Sequence, residues 1–157
     1  DALAIMKDSR IGTYGATVLI ITIGIRVTAL ATMAATLSPI AAALALLGVA
    51  SLSRAAMVWH WDRIGPARKD GVAASVGQPE AASARLAEYG GVAMAGLLLL
   101  LVAGFLPAFG SILLAIGLVW WHTRHVGAKL GGHTGDTLGA SQQISEIAAL
   151  AGLALLI

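Results

Sequence analysis

The sequence has no cysteine, so it can build neither a disulfide framework nor a thiolate metal site, and cysteine usage says nothing of its redox compartment. Charge is scarce too. Only 11% of residues are charged against 58% apolar, and the mean hydropathy is +0.86, far from the balance of a soluble domain. No Walker pattern, nucleophile elbow or dinucleotide fingerprint is present, which excludes nucleotide hydrolysis by the familiar soluble modules. The net charge of +2 is too small to argue for nucleic acid as a partner. Asp1 is followed by no basic n-region leading into a short apolar stretch, so no signal peptide is expected.

What the sequence does have is long runs of Ala, Leu, Val and Ile with no period-two alternation, which argues against a β-barrel. A chain of this composition that must satisfy its backbone inside a bilayer is an all-α, polytopic transmembrane bundle. Each span needs about 20 apolar residues. Five are expected, at 16–37, 40–61, 90–105, 109–122 and 137–157, within a single integral membrane domain. Ser38-Pro39 separates the first two. The run after residue 90 is too long for one span, and its Gly104 to Gly110 stretch, with Pro107 inside it, offers a break. Polar loops are expected at 62–89 and 123–136.

Basic residues test this topology independently, because short cytoplasmic loops carry an excess of Lys and Arg. Lys7, Arg10, Arg63, Arg68, Lys69, Arg85, Arg124 and Lys129 all fall on one side of the predicted spans. The turns at Ser38-Pro39 and around Pro107 carry none, so the basic side is expected to be cytoplasmic. Trp59, Trp61, Trp120 and Trp121 sit at span ends on that side, as interfacial anchors do, and His60, His122 and His125 are most simply interfacial as well. Arg26 and Arg54 lie inside spans, where an ionised side chain costs at least about 2.5 kcal/mol at the centre. Each needs a partner or an aqueous path. Arg54 can also snorkel toward Trp61, whereas Arg26 lies deeper, and Glu146 in the last span is the obvious partner for either.

Two stretches concentrate polar and small residues at the cytoplasmic mouths of spans. Residues 6–15, Met-Lys-Asp-Ser-Arg-Ile-Gly-Thr-Tyr-Gly, hold two cations, a carboxylate and hydroxyls beside glycines, a composition suited to a phosphate group. Residues 131–139, Gly-Gly-His-Thr-Gly-Asp-Thr-Leu-Gly, lead into the last span. There Asp136 or Thr134 is expected to cap the helix, and its free N–H groups favour an anion. A carboxylate in that place could instead hold a divalent cation that neutralises phosphate oxygens. His133 has no second histidine at ligand spacing, which argues against zinc. Taken singly, each stretch is more simply a turn and a cap.

Together, these stretches resemble the two signatures of the cobalamin synthase family, the adenosylcobinamide-GDP ribazoletransferases. Ser53-Arg54-Ala55-Ala56-Met57 and Ala67-Arg68-Lys69-Asp70-Gly71 resemble further family segments at matching places. The resemblance implies a membrane enzyme of the cell (inner) membrane, multi-pass, with its motif loops facing the cytoplasm. It would join adenosylcobinamide-GDP to α-ribazole or its 5′-phosphate, giving adenosylcobalamin or its phosphate with release of GMP, and would use Mg²⁺. Lys7, Asp8, Arg10 and Asp136 would be catalytic, with Asp8 and Asp136 as metal ligands. Ser9, Thr13, Tyr14, Arg54, Arg68, Asp70, His133, Thr134 and Thr137 would bind substrate. The partners implied are the two substrates and the lipid bilayer, and the resemblance leaves room for a homo-oligomer. The family normally carries a further N-terminal helical segment with an acidic Asp-Gly-Leu-Ala-Asp type motif, so this chain is expected to be the C-terminal portion of such an enzyme.

Two readings from other classes compete. A small-solute transporter or channel subunit would use Arg26, Arg54 and Glu146 to line a pathway, with a broken helix near Pro107. No inverted repeat is visible, however, and the polar motifs gather at one face instead of the midplane. A purely structural membrane subunit is the third reading.

Overall fold

The computed structural model describes residues 11–68 and 75–157. Five long helices account for nearly all of them: α1 (Thr13–Thr36), α2 (Pro39–Arg63), α3 (Ala81–Ala103), α4 (Phe105–Leu130) and α5 (Gly135–Leu156). Among the described residues there is no strand, only one isolated bridge between Pro66 and His133. At 22 to 26 residues each, the helices are about 33–39 Å long, enough to cross the hydrocarbon of a bilayer. The protein is an all-α, polytopic membrane bundle.

The first turn is built locally. α1 stops at Leu37, whose N–H donates to the Met33 carbonyl at 2.9 Å. Ser38 then caps α2 by accepting from the Ala41 N–H at 3.3 Å, with Pro39 as its first residue. The second turn is a single residue. Gly104, with φ +84°, ends α3 and begins α4, a conformation that disfavours any side chain. Pro107 is therefore not the break itself. It sits in the first turn of α4, where its missing N–H has no intrahelical acceptor to lose.

The helices extend past the apolar stretches on the side that carries the loops. Arg85 and Glu88 ride on α3, which begins at Ala81, and Arg124 and Lys129 ride on α4. The polar segment between α4 and α5 thus shortens to residues 131–134. The Ala-rich start of α3 favours helix there, whereas α4, with Thr123, Val126 and Gly127 near its end, is held by the burial of Thr123 and Val126.

Helices α1 to α4 are long and apolar enough to span a membrane, whereas α5 falls short by composition. The reason is a polar seam of Thr137, Ser141, Gln142, Ser145 and Glu146 at helical spacing. That seam is covered by protein: Thr137, Ser141, Gln142 and Ser145 are buried where α5 packs against α4, α2 and α1. α1 is the opposite case. Val18, Leu19, Ile20, Ile21, Ile23 and Val27 are exposed, a face suited to lipid, and only Ala29 and Met33 are buried. α2 and α3 approach closely at Gly91, where a Cβ would lie 2.7 Å from that of Ala55. Ala45, Val49, Leu52, Ala95 and Leu99 form the apolar core beneath that contact.

Candidate functional site

The loop-bearing end of the bundle brings together the end of α2 and the start of α5. The His133 N–H donates to the Gly65 carbonyl at 2.8 Å, and the Ala67 N–H donates back to the His133 carbonyl at 2.8 Å. This pairing fixes the backbone that leads into Arg68 against the turn before α5. Gly132 makes it possible, since a Cβ there would lie 2.7 Å from the Ala67 nitrogen. α5 starts with a capping box in which the Thr137 N–H donates to Thr134 Oγ1 at 3.3 Å and the Thr134 N–H donates to Thr137 Oγ1 at 2.9 Å. Thr134, and not Asp136, is thus the cap, and Asp136 stays exposed in the first turn of α5.

Behind this turn lies a buried cluster that the sequence does not announce. His60 is completely buried, not interfacial, and its Nδ1 lies 2.7 Å from Thr123 Oγ1 while its Nε2 lies 3.5 Å from Thr137 Oγ1. His122 is half-buried, with Nε2 3.2 Å from the Thr137 carbonyl and its ring 5.1 Å from that of His60. Only His125 remains at the surface, stacked on Trp121. His133 is 0% exposed and neither ring nitrogen has a hydrogen-bond partner. Burial holds its pKa below the usual imidazole range, so at neutral pH it is an uncharged donor–acceptor pair.

Deeper in the bundle, Glu146, the partly exposed member of the polar seam, lies with exposed Gln143 in a cleft. α1 packs on α5 and scarcely touches α2, while α2 packs on α5 as well, so α5 forms the floor between two walls. Arg26 on the α1 wall donates to Glu146 Oε1 at 3.2 Å and to Gln143 Oε1 at 2.5 Å. Arg54 on the α2 wall approaches Glu146 Oε2 at 3.5 Å and donates to Ser53 Oγ at 3.1 Å. Gln142 donates to Glu146 Oε2 at 2.5 Å and to Ser53 Oγ at 3.3 Å, and Gln143 donates in turn to Gln142. Both arginines therefore share Glu146, where the sequence suggested one pair or the other. The Arg54 side chain is 61% exposed and the Arg26 side chain 23%.

The family model for cobalamin-5-phosphate synthase matches residues 1–154. The chain belongs to the cobalamin-5-phosphate synthase family. Curated relatives named adenosylcobinamide-GDP ribazoletransferase agree. That of Sinorhizobium medicae (strain WSM419) is 54% identical over 162 residues, covering 100% of this chain and 60% of the relative. That of Rhizobium meliloti (strain 1021) is 53% identical over 158 residues, with 100% and 60% covered. That of Brucella anthropi is 42% identical over 153 residues, with 98% and 59% covered. The chain thus spans about three fifths of the length of these relatives. No solved structure matches it.

For a member of the cobalamin-5-phosphate synthase family, the placement of the sequence-predicted residues is uneven. His133, Thr134 and Thr137 converge at the start of α5, with Arg68 following the bridged segment and Asp136 one step away. Arg54 lies deeper, in the cleft. Thr13 and Tyr14 open α1 and are exposed, at the same end of the bundle because α1 and α2 form a hairpin. Lys7, Asp8, Ser9, Arg10 and Asp70 lie outside the described residues. Among the described residues no three His, Asp or Glu side chains are grouped to hold a metal ion. Asp136 alone supplies a carboxylate at this turn, so the described residues do not by themselves fit Mg²⁺.

Sequence reasoning missed Gln142, Gln143, His60 and Thr123. The first two had a signal: amides four and three positions before Glu146 in a span imply a polar face. For His60 and Thr123 nothing in the sequence shows that they meet.

Proposed function

We propose that the chain forms part of the active face of a membrane transferase that joins adenosylcobinamide-GDP to α-ribazole or its 5′-phosphate. A ribazole hydroxyl attacks the phosphorus attached to the cobinamide arm. The new P–O bond forms as the P–O bond to GMP breaks, the hydroxyl proton is released, and GMP leaves. The products are adenosylcobalamin, or its phosphate, and GMP. Such a displacement is accelerated by positioning and by neutralising the phosphate charge. In this proposal Lys7, Arg10, Arg54 and Arg68 neutralise the diphosphate. Asp8 and Asp136 either hold a metal ion or orient the attacking hydroxyl. Ser9, Thr13, Tyr14, Asp70, His133, Thr134 and Thr137 hold the substrates. Mg²⁺ belongs to the proposal on the strength of the family alone, with Asp8 and Asp136 as its ligands, and no step is derived through it.

The observation that supports this reading is the pairing of Gly65 and Ala67 with His133, which ties two family motifs, far apart in sequence, into one turn. His133, buried with two unanswered ring nitrogens, gives that turn unused hydrogen-bonding capacity. We further propose the cell inner membrane as its location, with the basic loops toward the cytoplasm. The test is GMP release from adenosylcobinamide-GDP and α-ribazole by the protein in detergent, with and without Mg²⁺, at the length of its relatives. Metal-dependent release that falls at least about tenfold in Asp136→Asn supports the assignment. No release sinks it, and release at an unchanged rate removes Asp136 from the site.

A further inference from the structure

The cleft between α1 and α2 holds an imbalance of charge. Two guanidiniums, from Arg26 and Arg54, close on the two oxygens of one carboxylate, Glu146. Among the described residues no second acid pairs with either arginine. Gln142, Gln143 and Ser53 complete the network with neutral groups. An ion pair that served only to fix helix packing would need one cation for its carboxylate. The second is a cost inside a membrane bundle, where an uncompensated charge is expensive. The Arg54 side chain is also mostly exposed, and α1 and α2 scarcely touch one another while both pack on α5. Among the described residues the network is thus one negative charge short.

We propose that Arg26 and Arg54 together bind a diphosphate group, and that Glu146 is the internal anion that holds both guanidiniums in position until the diphosphate displaces it. The proposal rests on the function proposed above for the source of the diphosphate, the nucleotide-linked substrate. It adds Arg26 to the cations that meet it and gives Glu146 an opposing role. Guanidiniums suit this task because each offers several donors in a fixed plane and stays charged when desolvated. Glu146 Oε1 faces one and Oε2 the other, so a single dianionic group entering the cleft can contact both. Gln143, which accepts from Arg26, and Ser53, which accepts from Arg54, keep the two arginines aimed when Glu146 yields.

The two readings of Glu146 predict opposite signs. If it only fixes packing, Glu146→Gln and Arg26→Gln harm the protein alike. If it competes with a diphosphate, removing it strengthens binding and removing Arg26 weakens it. The probes are inorganic pyrophosphate and GDP, titrated calorimetrically into the protein in detergent without turnover. Arg26→Gln is expected to bind both about tenfold more weakly and Arg26→Lys to recover part of that loss, while Glu146→Gln binds about threefold or more tightly. Unchanged binding in Arg26→Gln, weaker or equal binding in a folded Glu146→Gln, or no binding of either probe to the unaltered protein overturns the proposal. Should Glu146→Gln not fold, the double variant Arg26→Gln/Glu146→Gln replaces it. Tighter binding than Arg26→Gln alone supports the proposal, and equal binding overturns it. Charge-ordered binding without GMP release would leave this site standing and remove the transferase reading. GMP release with binding indifferent to Arg26 would do the reverse.

Discussion

His133 concentrates the tension of the loop-bearing end in one side chain. Its backbone is held on both sides by the segment after α2, while its imidazole is buried without a hydrogen bond. The folded protein therefore takes up a proton there less readily than the unfolded chain, whose imidazole titrates near 6.5. The contribution of His133 to stability is level above that value and declines as pH falls below it, because the unfolded state then binds more protons. Thermal unfolding in detergent between about pH 5 and 8 is expected to show stability falling with pH in the acidic half, and His133→Gln to reduce the slope. A slope identical in both proteins would mean that His133 is not held neutral by burial.

At the scale of elements, Thr134 carries the start of α5. Replacing it with Ala removes both the cap to the Thr137 N–H and the reciprocal geometry of the box, at a cost of about 1 kcal/mol, while Thr134→Ser retains the hydroxyl and most of the stability. Chemical unfolding of the two variants checks this. Helices of this kind were legible in the sequence because an apolar run without breakers has few alternatives, and Ser38-Pro39 marks a cap plainly. Their ends were less legible. Arg85, Glu88, Arg124 and Lys129 look like loop residues by charge, yet they are helical, on an Ala-rich start in α3 and, in α4, on a turn anchored by buried Thr123 and Val126. The candidate site was legible where motif residues are contiguous, as at 133–137. It was illegible where it depends on which helices touch: the meeting of His60 with Thr123, or of Pro66 with His133, spans dozens of residues and leaves no local pattern.

For the whole molecule, the proposed orientation rests on where the basic residues lie. These 157 residues contain no cysteine, so a single cysteine introduced among them is the one thiol they carry. Leu106 stands exposed beside the α3–α4 joint, and Ala128 is exposed near the end of α4 that carries Lys129. In intact cells an impermeant maleimide is expected to label Leu106→Cys, and to label Ala128→Cys only after the membrane is opened. The reverse pattern would invert the proposed topology.

The polar seam of α5 also bears on how the chain is made. A segment interrupted by Ser141, Gln142, Gln143, Ser145 and Glu146 is a poor substrate for insertion by itself. Four residues separate it from α4. Synthesis is therefore expected to favour entry of α4 and α5 as a hairpin, with α5 drawn into the bilayer by helices already there. Substitutions in α1 and α2 that remove the arginines would then act twice, on the finished cleft and on the efficiency with which α5 reaches it.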